Sequence, residues 1–277
     1  MTLHCIHHLI KGLTMKLHRT LPATLAALAA LTLASGAMGQ TPSPANTVPV
    51  KNIVLVHGLY ADGSSWEKVI PLLQAKGYHV TSVQNPTTSL DADVDAVKRT
   101  LALQDGPTLL VAHSYGGMVI TQAGDDPKVA GLVYIAARAP DVGEDYPALT
   151  RKFPAAPASA GLQWGADGYG RLSEQAFLHD FAGDLPETQS RAYYAVQQPI
   201  AKAITMAKTT VAAWRDKPTW YAVSTEDRTI NPDLERFMAK RMGAQTVEIP
   251  ASHVSLLSRP QEVAGLILQA AAGKSAG

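Results

Sequence analysis

Val111-Ala112-His113-Ser114-Tyr115-Gly116-Gly117 places a serine where one apolar run stops and another begins. Thr108-Leu109-Leu110-Val111-Ala112 leads in, and Met118-Val119-Ile120 leads out after the glycines. A strand that ends at a serine and restarts as a helix holds it on a sharp, strained turn, with its Oγ at the C-terminal edge of a sheet. Small residues are needed two positions to either side, because strand and helix pass close together there. Gly116 fills the second of these positions, and Ala112 fills the first in place of the usual glycine. Taken alone, the stretch is equally consistent with an ordinary Gly-rich turn of an α/β protein.

Three further segments change the balance. Asn52-Ile53-Val54-Leu55-Val56 is an apolar strand running into His57-Gly58-Leu59-Tyr60. Trp220-Tyr221-Ala222-Val223 runs into Ser224-Thr225-Glu226-Asp227-Arg228, and Thr246-Val247-Glu248-Ile249 leads to Ala251-Ser252-His253-Val254. Serine, acid and histidine thus follow one another in the chain, each after a strand.

With these four segments the chain resembles the α/β-hydrolase superfamily, in particular the compact esterases that include plant methylesterases, hydroxynitrile lyases and their bacterial homologues. The resemblance covers roughly residues 51–277. It implies an α/β fold: a mostly parallel sheet of about six strands flanked by helices, with an inserted, mainly helical cap. Strands are expected at 53–56, 80–83, 108–112, 131–135, 219–224 and 245–249, with helical patterns between them. Ser64-x-x-Glu67 reads as a capping box. Leu90, Val94, Val97 and Leu101 form a helical stripe, with Asp91, Asp93 and Asp95 favourably placed at its N-terminus. Asn231-Pro232 reads as N-cap and N1, and Ser258-Arg259-Pro260-Gln261 opens the last helix.

Residues from about 140 to 217 break this rhythm and fall where the family inserts its cap. They hold nine of the 17 aromatic residues, which collectively point to an apolar pocket. Any single one is better explained as packing within the cap.

Composition narrows the function classes. The chain has 277 residues, 46% hydrophobic, with a formal net charge of +1 and no basic run, so nucleic acid is not an expected partner. Residues 1–39 read as an export signal. Met15-Lys16-Leu17-His18-Arg19 is a basic start, residues 21–33 are apolar, and Ala37-Met38-Gly39 is a cleavage site. Thirteen apolar residues fall short of the ~20 that span a bilayer, so removal is expected rather than stable membrane insertion. The expected location is the periplasm or the exterior. His4, Cys5, His7 and His8 lie upstream of Met15, the expected true start, and are not read as metal ligands. Residues 40–50 form a flexible lead-in. Cys5 is the only cysteine, so a cysteine nucleophile is excluded from the mature chain.

The resemblance assigns roles residue by residue. Ser114 is the nucleophile, His253 its base and Asp227 the acid that orients the base. Glu226 and Asp141 compete for the acid role, and Asp227 could instead cap the following helix. The oxyanion hole falls to the backbone amides of Leu59 and Tyr115, and Tyr60 lines the substrate pocket. His57 is expected to shape its loop, and His113 to point away from the site. No metal or organic cofactor is implied, the partner is a small-molecule ester, and the sequence is silent on oligomeric state. Lyase chemistry of the hydroxynitrile type needs a lysine after the histidine, where Val254 stands. Cofactor-free perhydrolase activity and a non-catalytic ligand-binding role use the same residues and stay open.

Overall fold

The computed structural model describes residues 49–273; the export signal falls outside the described residues. Six parallel strands form the central sheet: β1 (Asn52–Val56), β2 (His79–Val83), β3 (Thr108–His113), β4 (Val129–Ile135), β8 (Thr219–Ser224) and β9 (Gln245–Ile249). Their order is β2-β1-β3-β4-β8-β9, every pair parallel. Winding reverses between the neighbours β1 and β3, and open α/β sheets place their sites at such a switch point.

The strand sequences explain their positions. β1, β3 and β8 are buried at every residue and read as continuous apolar runs, as strands covered on both faces do. β2 and β9 are the edges and alternate, exposing His79, Thr81, Thr246 and Glu248.

Seven helical segments flank the sheet or begin the insertion: α1 (Ile70–Gln74), α2 (Leu90–Ala102), α3 (Gly116–Ala123), α4 (Tyr146–Thr150), α7 (Pro232–Met242), α8 (Ser255–Ser258) and α9 (Pro260–Ala271). Ser89 caps α2 by accepting from the Ala92 amide, and Asn231 caps α7 ahead of Pro232. The expected capping box at Ser64 does not form. Asp62 accepts from the Ser64 amide and starts a 3₁₀ turn, Gly63–Trp66, while Glu67 accepts from the Tyr193 hydroxyl. Asp62 sits two residues earlier and captured the free amide first.

Between β4 and β8 lies the insertion. Besides α4 it carries a small antiparallel sheet of β5 (Leu162–Trp164), β6 (Tyr169–Leu172) and β7 (Ile200–Ala201). It also carries α5 (Glu174–Ala176), a π-helical turn (Phe177–Phe181) and α6 (Glu187–Ala195). The small sheet was not anticipated from sequence, because three strands of two to four residues leave no periodic pattern. Trp164 and Tyr169 lie on it, are partly exposed, and line neither of the cavities walled by Phe181 or Arg138.

The elbow glycine is required by β1 rather than by its own strand. A Cβ on Gly116 would lie 2.7 Å from the carbonyl oxygens of both Val56 and His57. Backbone on both sides leaves no room to relax, so Gly116→Ala is expected to destabilise by ~1–3 kcal/mol, the usual range for overpacking. Gly265 in α9 has open space around it, so Gly265→Ala should stabilise by up to about 1 kcal/mol. Denaturant melts of both variants check the contrast; equal effects would show that the close approach is not what selects glycine at 116.

Candidate active site

Ser114 stands at the end of β3 with φ +53°, a left-handed backbone rare for a residue with a Cβ. Three bonds hold it there: its amide donates to Ile135 O (3.2 Å), and its carbonyl accepts from Gly117 N (3.0 Å) and Arg138 N (2.9 Å). Such strain persists only where the surroundings over-determine it. Gly58 packs directly on the serine, since a Cβ there would come within 2.6 Å of Ser114 Cβ.

Asp227 follows β8, and His253 follows β9. His253 Nδ1 and Asp227 Oδ2 are 2.5 Å apart in a contact whose side chains are both fully buried. The other carboxylate oxygen, Oδ1, accepts from the amides of Thr229 (2.6 Å) and Ile230 (2.8 Å). Nδ1 is therefore the donor, and His253 Nε2 is left buried without a partner among the described residues. Of the competing acids, Glu226 is exposed on the adjacent position and Asp141 pairs with Arg215.

The His57 loop is built by tautomer. His57 Nε2 accepts from the Asn85 amide (2.9 Å), so its Nδ1–H donates to Gly58 O (2.8 Å). Burial lowers its pKa and keeps it neutral. A trans peptide points its N–H opposite its carbonyl, so turning Gly58 O toward His57 turns the Leu59 amide away from it. Neither the Leu59 amide nor the Tyr115 amide donates a hydrogen bond among the described residues. Tyr60, next along, has φ +62° and a ring 6.2 Å from that of Phe181.

His113 departs from expectation. It turns inward, fully buried: its Nε2 lies 2.9 Å from His253 O and its ring 4.6 Å from the His253 ring. Burial, then the neighbouring His253, hold it well below its ordinary pKa. A neutral ring donating from Nε2 fixes the backbone of the residue proposed as base. β3 places residue 113 on the face opposite Ala112, and in this sheet that face is covered by the His253 loop.

Three other features were missed in the sequence. Asp93 is not a helix-end charge on the surface: it is buried and accepts from the Tyr115 hydroxyl (2.8 Å) and the Thr87 amide (2.8 Å). Burial raises its carboxyl to about 6, against the pull of both donors. The signal was present, because residue 93 falls on the apolar stripe of Leu90 and Val97. The insertion grips both site loops: Asp184 accepts from Ser252 N (2.9 Å), Asp180 accepts from Arg228 Nε (2.7 Å), and the Phe181 ring is 5.1 Å from that of His253. Nothing local marks these residues.

Glu235 is the third. It sits on the buried side of α7, accepts from Ser224 N (3.2 Å) and lies within hydrogen-bond reach of Asp227. Burial, then the Asp227 charge, raises its carboxyl well above the ordinary range. A raised carboxyl binds more protons folded than unfolded, so it removes stability as pH rises from the ordinary Glu range through the raised value. Asp93, raised to about 6, gives a slope of the same sign, so the Glu235 share is the difference between wild type and the Glu235→Gln variant. Glu235→Gln keeps the donor and should flatten that slope in melts; an unchanged slope would rule Glu235 out as its source.

Two cavities are lined by sequence neighbours of Ser114, Asp227 and His253, though by none of the three themselves. A narrow one of about 20 Å³ is walled by Tyr60, His113, Phe177, Phe181, Val254 and Leu257. A larger one of about 470 Å³ includes Arg138, Tyr146, Thr150, Ser159, Thr229 and Asn231.

The alpha/beta hydrolase family model matches residues 53–266. A pyrethroid hydrolase of Sphingobium wenxiniae is 27% identical over 254 residues, covering 79% of this chain and 86% of its own. Salicylic acid-binding protein 2 of Nicotiana tabacum is 27% identical over 255 residues, covering 80% of this chain and 97% of its own. Among solved structures, that of a pyrethroid hydrolase matches with a TM-score of 0.70 at 25% identity, covering 80% of this chain and 98% of that one.

Proposed function

The chain belongs to the alpha/beta hydrolase family, and from that premise we propose that it hydrolyses carboxylic esters through Ser114, His253 and Asp227. The observation that carries this is the buried His253–Asp227 contact, which commits Nδ1 and leaves Nε2 without a partner among the described residues, beside the strained backbone that holds Ser114 at the end of β3. A serine hydroxyl needs such a base to act as a nucleophile at neutral pH.

His253 Nε2 takes the Ser114 proton as Oγ attacks the ester carbonyl. The Leu59 and Tyr115 amides receive the developing oxyanion. As the tetrahedral intermediate collapses, His253 returns the proton to the departing alcohol and an acyl-enzyme remains. Water, deprotonated by His253, attacks the acyl carbon, and the acid leaves with Ser114 restored. Asp227 stays ionised and stabilises the imidazolium. The Phe177 and Phe181 rings, the latter beside the His253 ring, offer an apolar wall against which an apolar limb of the substrate would pack. The basic start, short apolar stretch and small-residue site in residues 15–39 support export to the periplasm or exterior.

The test is turnover of a p-nitrophenyl ester series, acetate to decanoate, with fluorophosphonate labelling mapped by peptide mass. Label on Ser114 together with ester turnover is expected. Turnover with the label elsewhere, or labelling with no ester turned over, would overturn the assignment.

A further inference from the structure

Arg138 carries a charge that nothing in the fold neutralises. No carboxylate and no hydrogen-bond acceptor meets its guanidinium among the described residues, and its Nε is buried and unpaired. Its contacts are aromatic faces: the guanidinium lies 4.9 Å from the Tyr146 ring centre and 5.9 Å from that of Tyr115. The surrounding carboxyls are already committed. Glu144 forms a two-point pair with Arg241 (2.8 and 3.0 Å), Asp227 faces His253, and Glu235 is buried against Asp227.

An unpaired cation held partly out of water is unfavourable unless an anion joins it. Here it is held in place. The segment bearing Arg138 is fixed by Ala136 N to Ala222 O (2.9 Å), by the Tyr221 hydroxyl bridging both polar atoms of the Ala137 backbone, and by Arg138 N to Ser114 O. The last bond ties the arginine directly to the backbone of the proposed nucleophile.

Arg138 also walls the cavity of about 470 Å³. Tyr146, on the same wall, has a buried hydroxyl without a hydrogen-bond partner among the described residues. Two unsatisfied donors thus share one wall, with Thr150, Ser159 and Asn231 adding polar groups. The cavity is also walled by Thr229 and Ile230, whose amides hold Asp227. A planar guanidinium fork matches a carboxylate geometrically as well as electrically.

We propose that the cavity beside Arg138 is a carboxylate subsite, and that the substrates are half-esters of dicarboxylic acids, with the apolar limb against the Phe177–Phe181 wall and the free carboxylate on Arg138. The substrate class rests on the hydrolase reading above; the anion subsite stands without it.

Two measurements separate them. Adipate and the neutral adipamide are titrated calorimetrically into the Ser114→Ala protein, which binds without turnover. Adipate should bind at least tenfold tighter, and adding Arg138→Gln should erase that difference. Arg138→Lys, which keeps the charge but not the fork, should retain part of it and guards against a variant that fails to fold. Adipate no tighter than adipamide, or unaffected by Arg138→Gln, overturns the subsite.

In the wild type, the ratio of kcat/KM for monomethyl adipate over methyl hexanoate should exceed one, and it should fall at least tenfold in Arg138→Gln. Both esters turned over with an Arg138-independent ratio would overturn the half-ester assignment and leave the hydrolase standing. Arg138-dependent adipate binding with neither ester turned over would keep the subsite and overturn the hydrolase.

Discussion

Ser114→Ala is expected to lower kcat for ester hydrolysis by about 10⁶, the loss seen when a triad nucleophile is removed, with little change in stability. The two halves of this prediction have separate physical grounds. The side-chain oxygen makes no hydrogen bond among the described residues, so its removal leaves no partner unsatisfied. The strained backbone is held by main-chain bonds at Ile135, Gly117 and Arg138, which alanine keeps. Rate and folding are therefore separable here, as the chemistry alone depends on Oγ. Steady-state kinetics beside a thermal melt make the measurement. A merely twofold loss in a folded variant would mean that another group carries the reaction.

Asp227→Asn is expected to cost about 10⁴ in kcat, the loss from placing the wrong tautomer on a triad histidine. The reason is specific to this loop. Oδ1 is pinned by the amides of Thr229 and Ile230, which need an acceptor. Asparagine must put its oxygen there, so its NH₂ faces His253 Nδ1. Nδ1 then becomes an acceptor, the proton moves to Nε2, and the ring no longer has a lone pair at Nε2 to take the serine's proton. Glu226→Gln, on the exposed neighbouring position, should leave the rate within twofold or so of wild type. If Glu226→Gln is the crippled variant instead, the acid lies one residue earlier than the buried contact indicates.

β1, β3 and β8 were legible because burial on two faces leaves an unbroken apolar run, and these runs lead to His57, Ser114 and Asp227. The order serine, acid, histidine was legible for the same reason. His113 was not: its neighbour in space, His253, is 140 residues away, and no local pattern records that. Asp93 and Glu235 were half legible. Each sits at the helical spacing of buried residues, but a carboxyl there reads as a solvated charge until a partner is seen. The tyrosine hydroxyl comes from the start of α3, 22 residues on, and the second carboxylate from the loop between β8 and α7, which only folding turns onto Glu235.

By itself, the sequence determined the parallel sheet and the turn at Ser114, and its resemblance to the α/β-hydrolases singled out Ser114, His253 and Asp227 as the residues to test. Hydrophobic periodicity and turn chemistry act over a few residues, and the chain order of these segments follows from how such a sheet winds. Tertiary structure alone decided which histidine nitrogens donate, which carboxyls burial pushes up, how the insertion clamps both site loops, and that Arg138 meets no carboxylate among the described residues. Those properties depend on desolvation and on through-space pairing, and both are set by groups that only folding brings together.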